Sequence, residues 1–310
     1  MKLALVAVGL FACRAPAAPA QPVGACAAPL PLLAKQHSPN DSKLYIAALD
    51  GLAISAPKLV TAKRGYVNQP AFSDDGRGLY FTWRPEGSQA DIYLHDLRTN
   101  TERAITCTSQ EEYVASPTPD QHLSVIRVEP DLARRLVVLD AAGSPSRTLF
   151  PDLTTIGAYR WADARTVAIM ASKPDGSAST LVLGDVQTGA MTTVAEQIGG
   201  ALALIPGSRA LSYVDMAGDR PALMRLDLAT HATTKLVDMP DGVDTVAWLA
   251  DGSALAGSGN RIIRWAPAAS GWQDIAKLAL DGPITRVVVS PDQRTIAIVV
   301  KDQRSASASN

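Results

Sequence analysis

One unit recurs along this chain: an apolar strand, a tight polar turn, and a second apolar strand. It stands as FSDDGRGLYF at 72, PTPDQHLSVI at 117, RWADARTVAI at 160, LIPGSRALSY at 204, WLADGSALAG at 248 and VSPDQRTIAI at 289. The second turn residue (Asp75, Asp120, Asp163, Gly207, Asp251, Asp292) advances in steps of 45, 43, 44, 44 and 41 residues. After each of the first five turns comes a third strand. IYLHDL, LVVLDA, LVLGDV and LMRLDL are each closed by an aspartate (Asp96, Asp140, Asp185, Asp227), while IIRWAP carries Ala266 in that place. An Asp there can hold a turn through its own backbone. A fourth short strand follows in ERAIT, SRTLF, MTTVA, TTKLV and WQDIAKL.

Four short antiparallel strands in a unit of about 40 to 45 residues are the mark of a propeller blade. The sixth unit has only two strands, VVVSPDQRTIAIVV, before the polar tail at 302–310. Its missing half lies at the other end. SKLYIAALDG (42–51) has the third-strand pattern with its closing Asp50, and APKLVT (56–61) matches a fourth strand. The expectation is an all-β, six-bladed β-propeller over 42–301, its last blade closed by N-terminal strands (two strands from each end).

The first residues read as an export signal over 1–20: Lys2, a ten-residue apolar run from Leu3, and APAAPA before Gln21. The run is too short to span a bilayer. Leu10-Phe11-Ala12-Cys13 supports a second reading, a lipobox with Cys13 as the lipidated residue, although Phe11 is larger than the usual residue there. Residues 21–41 form a leader. Cys26 and Cys107 then pair as a disulfide in an oxidising compartment, the alternative being two free thiols. The chain is thus expected in the periplasm or anchored at the outer membrane, touching a membrane only through such a lipid. Lys+Arg 29 against Asp+Glu 30 leaves a net charge of −1, which argues against a nucleic-acid partner.

NQPAFSDDGRGLYFTW followed by ADIYLHDLRTNTERAIT resembles the PD40, or TolB-like (WD40-like), repeat of exported bacterial propellers. In that repeat a Pro-x-x-Ser-Pro-Asp-Gly turn precedes a strand and an Asp-Ile-Tyr strand follows. Ser290 to Gln293 and Ala250 to Gly252 match in part, and the third and fourth units are worn. The resemblance covers nearly the whole chain after the leader. It implies the propeller fold and a binding role in the cell envelope. The roughly 20 to 40 residues ahead of the first strand are too few for the additional α/β domain that TolB carries, since a small domain needs about 50. Similar propellers precede the hydrolase domain of prolyl-oligopeptidase-like peptidases, but no G-x-S-x-G elbow occurs here.

In a propeller the loops from strand four to the next strand one, and from strand two to strand three, gather at one mouth of the channel. Loops on a rigid scaffold commonly carry binding residues. Candidate mouth residues are Tyr66, Asn68, Gln69, Arg84, Glu112, Tyr113, Arg127, Glu129, Tyr159 and Trp161, heaviest over blades one to three. Tyr, Trp and Arg are the types that anchor peptides and protein surfaces. The competing structural reading packs Tyr113, Tyr159 and Trp161 between blades and pairs Glu112 with Arg127. The partner class is an envelope protein or peptide bound by a monomer, with no cofactor and no metal: His37, His95, His122 and His231 share no ligand spacing. The rival is a hydrolase or lactonase using Glu111, Glu112 and Glu129 or a divalent ion in the channel. It is disfavoured by first-strand positions expected to present mostly Ala, Val, Leu and Ser inward.

Overall fold

The computed structural model describes residues 41–173, 176, 178–200 and 202–302. The predicted signal, the lipobox at Cys13, Cys26 and the tail after Asp302 lie outside the described residues.

Within them, every regular element is a strand, and the strands form six separate antiparallel sheets. Blade one is Tyr66–Phe72, Gly78–Arg84, Asp91–Asp96 and Thr101–Ala104. Blade two is Glu111–Pro117, Leu123–Val128, Arg134–Leu139 and Pro145–Leu149. Blade three is Ile156–Trp161, Thr166–Ser172, Ser179–Asp185 and Met191–Glu196. Blade four is Ala203–Ile205, Ala210–Asp215, Ala222–Asp227 and Thr233–Asp238, and blade five Ala247–Trp248, Ala254–Ser258, Arg261–Trp265 and Gln273–Lys277.

Blade six joins the two ends of the propeller. Ile284–Val289 and Thr295–Lys301 are followed in space by Ser42–Asp50, which pairs from Ser42 opposite Lys301 to Ala48 opposite Thr295. The expected strand over 56–61 is shorter than its sequence pattern suggests. Only Lys58–Leu59 pairs, opposite Tyr45 and Ile46, and Ala53–Ile54 folds back on Leu49 and Asp50. Pro57 has no N–H to give to a ladder, which stops the pairing there.

The core is not inside the sheets but between them. Leu44, Val299, Val67 and Phe81 cluster between blades six and one, and Ile92, Val125 and Val137 between one and two. Ile126, Leu136, Ile156 and Ile169 fill the gap between two and three, and Leu181, Leu211 and Tyr213 that between three and four. Val214, Leu223, Trp248 and Trp265 join four to five, and Leu255, Ile262, Ile296 and Ile298 join five to six. Indole–serine hydrogen bonds span two of these gaps: Trp161 Nε1 donates to Ser124 Oγ at 2.9 Å, and Trp248 Nε1 to Ser212 Oγ at 2.8 Å. Gly184 is required by the same packing, because a Cβ there would fall on the Phe150 ring.

The aspartates closing the third strands hold their turns as expected. Asp96 Oδ1 accepts the N–H groups of Arg98 and Thr99, Asp185 those of Gln187 and Thr188, and Asp227 those of Ala229 and Thr230. Asp140 takes Ala142 and Ser144. In the first turns Ser73, Thr118 and Ser290 donate their hydroxyls to Asp75, Asp120 and Asp292. These hydroxyl bonds hold the three carboxyls below the usual Asp value of 3.8.

Leu44 is fully buried and belongs to the strand that closes the ring. Leu44→Ala is expected to destabilise the propeller by about 2–5 kcal/mol, measured by chemical denaturation. Retention of wild-type stability would mean that the closing strand contributes little to the folded state.

Candidate functional site

A cavity of about 440 Å³ opens over blades one to three. Tyr66, Gln69 and Arg84 line it from blade one, Glu111, Tyr113, Val114, Leu132 and Arg134 from blade two, and Gly157 from blade three. Its shape comes from irregularities in the innermost strands. The register slips between Asn68 and Ala71, between Tyr113 and Ser116, and between Ile156 and Ala158. Such bulges re-aim side chains beside functional sites. Gln69 and Val114, at equivalent places in two blades, have φ of 56° and 53°. For a β-branched residue such as Val114 this is a strained conformation.

Neighbouring blades hold that strained peptide. Val114 N–H donates to Gln69 Oε1 and Thr82 Oγ1, each at 3.3 Å, and its carbonyl accepts the Tyr159 hydroxyl at 2.9 Å. Gln69 Oε1 also accepts from Thr82 Oγ1 at 2.9 Å, and Asn68 Oδ1 accepts the Gln69 N–H at 2.7 Å. Asn68 and Gln69 therefore build the wall, and Tyr159 braces it from behind.

The polar wall is Arg84, Glu111 and Tyr113. The Tyr113 hydroxyl donates to Glu111 Oε2, and Arg84 Nη1 lies 3.7 Å from Glu111 Oε1. Arg84 also sits over the Tyr66 ring, 5.3 Å from its centroid. Burial raises the Tyr113 hydroxyl pKa, and the Glu111 carboxylate raises it further, so Tyr113 is a neutral donor. Burial likewise raises Tyr66, against the opposing charges of Arg286 and Arg84. Leu132 stands at the rim, 44 % exposed.

The structure divides the ten expected mouth residues. Tyr66, Gln69, Arg84 and Tyr113 line the cavity, and Asn68 supports it. The expectation that Tyr159 and Trp161 open onto the mouth is corrected: both are buried between blades two and three, bonded to Val114 and Ser124. Strand periodicity turns them into the blade gap rather than the channel. Glu112, Arg127 and Glu129 do not line the cavity either. Arg127 pairs with Glu112 at 3.6 Å and Glu129 at 3.5 Å, and donates to Gln110 Oε1 at 2.5 Å. The expectation of small inward residues on the first strands also needs correction. Arg286 stands in the innermost strand of blade six, and Arg160 in that of blade three meets solvent while enclosing protein lowers its pKa.

Glu112 shares its blade gap with Asp91, the first residue of the Asp-Ile-Tyr strand. Thr108 Oγ1 donates to Glu112 Oε1 at 2.6 Å, and Thr106 Oγ1 to Asp91 Oδ1 at 3.3 Å. Burial pushes both carboxyls up to about 7. Glu111, Arg134, Arg286 and Leu132 complete the list of residues that loop counting undervalued. One signal was available for Arg286: it stands six residues before its turn Asp292, as Gln69 stands before Asp75 and Val114 before Asp120.

The donor set does not suit a hard divalent cation such as calcium, which takes six to eight oxygen ligands. The cavity has one carboxylate, already engaged by Arg84 and Tyr113, and two arginines. Among the described residues, no group of three or more His, Cys, Asp and Glu side chains comes together to hold a metal. Cys107 is disulfide-bonded, and the other two cysteines, with the expected pairing to Cys26, lie outside the described residues.

No protein-family model matches the chain, and no curated protein matches it in sequence. Solved structures do resemble it. A TolB-type protein from Agrobacterium tumefaciens superposes with TM-score 0.61 at 12 % identity, covering 86 % of this chain and 99 % of that one. TolB from Acinetobacter baumannii gives 0.57 at 15 %, covering 85 % and 65 %. A gluconolactonase from Xanthomonas campestris gives 0.62 at 11 %, covering 91 % and 99 %. The likeness is one of architecture. Propellers of different activity share it equally, so the residues of this cavity carry the functional argument.

The buried carboxyls set a pH dependence. Folded Asp91 and Glu112 hold protons more tightly than unfolded ones, so stability falls as pH rises from about 4.5 to 7. The turn aspartates act oppositely, their stabilisation being lost as pH falls below 3.8. Stability is therefore expected to peak near pH 4, where the two windows meet. Glu112→Gln should flatten the decline towards pH 8 by up to about 3 kcal/mol, read from urea unfolding at pH 5 and pH 8. Parallel pH profiles for the two proteins would contradict the buried-acid assignment.

Proposed function

We propose that the chain is an exported propeller of the TolB-like repeat type whose mouth over blades one to three binds a peptide or a protein segment in the bacterial envelope. The observation that carries this reading is the cavity itself. Two tyrosines and an arginine, the residue types that dominate binding anchors, converge there beside an exposed leucine. Its wall is rigid, because Gln69, Thr82 and Tyr159 hold the Val114 peptide from two blades. A preformed wall lowers the ordering cost of binding. The signal-like N-terminus supports export, and an oxidising compartment suits the bonded Cys107.

A second reading is an enzyme, a hydrolase or lactonase. Glu111 favours it, being a buried carboxylate at the cavity wall whose Oε1 has no hydrogen-bond donor. The close guanidinium and phenol on Glu111 favour instead a fixed anion that orients Tyr113 and Arg84.

The readings separate on two variants. Peptides selected from a displayed random library against the wild type are expected to bind Tyr113→Ala at least about tenfold more weakly, the loss of one anchoring contact. Unchanged affinity would exclude the mouth as the binding surface. Lactone or ester hydrolysis by the wild type that disappears in Glu111→Gln would establish the enzyme instead.

A further inference from the structure

We propose that the mouth holds a carboxylate subsite made by Arg84, Tyr66 and Arg286, and that its ligand is a peptide that presents a carboxylate. This inference rests on the peptide-binding reading and names the chemistry of the ligand.

The charges around the cavity do not balance. Arg84 and Arg134 line it, and the one carboxylate in the wall is Glu111. That carboxylate is shared: Tyr113 donates to one oxygen, and Arg84 approaches the other at 3.7 Å, beyond hydrogen-bond length. Arg134 reaches Thr155 O at 3.5 Å and Ser172 Oγ at 3.4 Å, so its charge meets no carboxylate there. Arg286 adds a third cation. It lies on Ile284–Val289, which packs against the innermost strand of blade one that begins at Tyr66. Its Nε is buried without a hydrogen-bond partner, and no carboxylate lies within ion-pairing distance of it among the described residues.

An unpaired buried guanidinium nitrogen destabilises a fold unless something else compensates. Two arginines acting on one tyrosine, with the chain as a whole at −1, form a local excess rather than a general one. A ligand carboxylate satisfies this geometry, since guanidinium groups pair with carboxylates through parallel N–H bonds. The Tyr66 hydroxyl is protonated and free to donate to the same group, burial having raised its pKa. A peptide suits the surroundings better than a small anion. Leu132 at the rim offers apolar surface for a neighbouring side chain. The carboxylate can be an Asp or Glu side chain or a free C-terminus.

The test uses the propeller with three pools of rhodamine-labelled random pentapeptides. The first has a fixed central Glu and an amidated end, the second a free C-terminus and no acidic side chain, and the third neither. Binding is followed by anisotropy at low and high salt. One of the first two pools is expected to bind and the third to bind at least about tenfold more weakly, with salt reducing the difference. The pool that binds tells which source of carboxylate is read. Arg286→Gln is expected to remove that preference while melting at or above the wild-type temperature, because it removes an unpaired cation. Arg286→Lys keeps the charge and should keep part of the preference. Equal binding of all three pools would overturn the carboxylate subsite and leave the peptide mouth standing. No binding by any pool would overturn both. An Arg286→Gln protein with wild-type preference, or one that loses binding only because it melts lower, would also overturn the assignment.

Discussion

The apolar contacts that hold this molecule lie between sheets. A four-stranded sheet such as blade three offers one face to Ile126 and Leu136 and the other to Leu211 and Tyr213. Neither face can be left in water, so no blade is stable without two neighbours. A row of blades would leave its first and last faces bare. Closing the row into a ring removes both, and pairing Ser42–Asp50 with Thr295–Lys301 seals it with a ladder of backbone hydrogen bonds. The blade-six cluster around Ile296 and Ile298 and the cluster around Leu44 both depend on that one antiparallel pair.

The site follows from the ring. Radial packing brings the first strand of every blade to the axis, where side chains converge and space is short. Blades one to three relieve the crowding with bulges, and the bulges open the cavity. Val114 shows how local strain is tolerated: its unfavourable φ persists because residues from blades one and three supply hydrogen bonds to its N–H and carbonyl. The same face gathers Arg84 and Arg134 in one cavity, and the strand carrying Arg286 packs against the strand that begins at Tyr66, although these residues are remote in sequence. Asp91 and Glu112 occupy the gap behind the cavity wall, so protonation there bears on the strand that carries Glu111 and Tyr113.

The fold was legible because blade structure is written locally. Turn aspartates such as Asp75 and Asp227 bond within a few residues of themselves, so spacing alone reveals them, and a period repeated over five steps leaves little freedom. The closure was legible for the same reason, since LYIAALD repeats the third-strand pattern. The site was only half legible. Tyr66, Gln69, Arg84 and Tyr113 sit where counting along strands and loops puts them. Tyr159 and Trp161 do not, because they alternate onto the strand face that packs in the gap between blades two and three, and which face that is depends on the assembled ring. Arg286 was missed because its role depends on Tyr66, a neighbour only after the ring closes. Asp91 was hidden in the Asp-Ile-Tyr motif, where it marks a strand and its burial depends on the neighbouring blade.

The join between the two ends also bears on how the molecule is made. Synthesis delivers Ser42–Asp50 first and its partner Thr295–Lys301 last. Until then the earliest strand, rich in Leu, Ile and Ala, can pair only with the short segments Ala53–Ile54 and Lys58–Leu59, and its other edge stays open. The intervening blades can assemble pairwise as they emerge, but the ring is completed only by the most distant contact in the chain, the slowest kind to form. Until that last pairing forms, every blade interface depends on a ring still open at one seam.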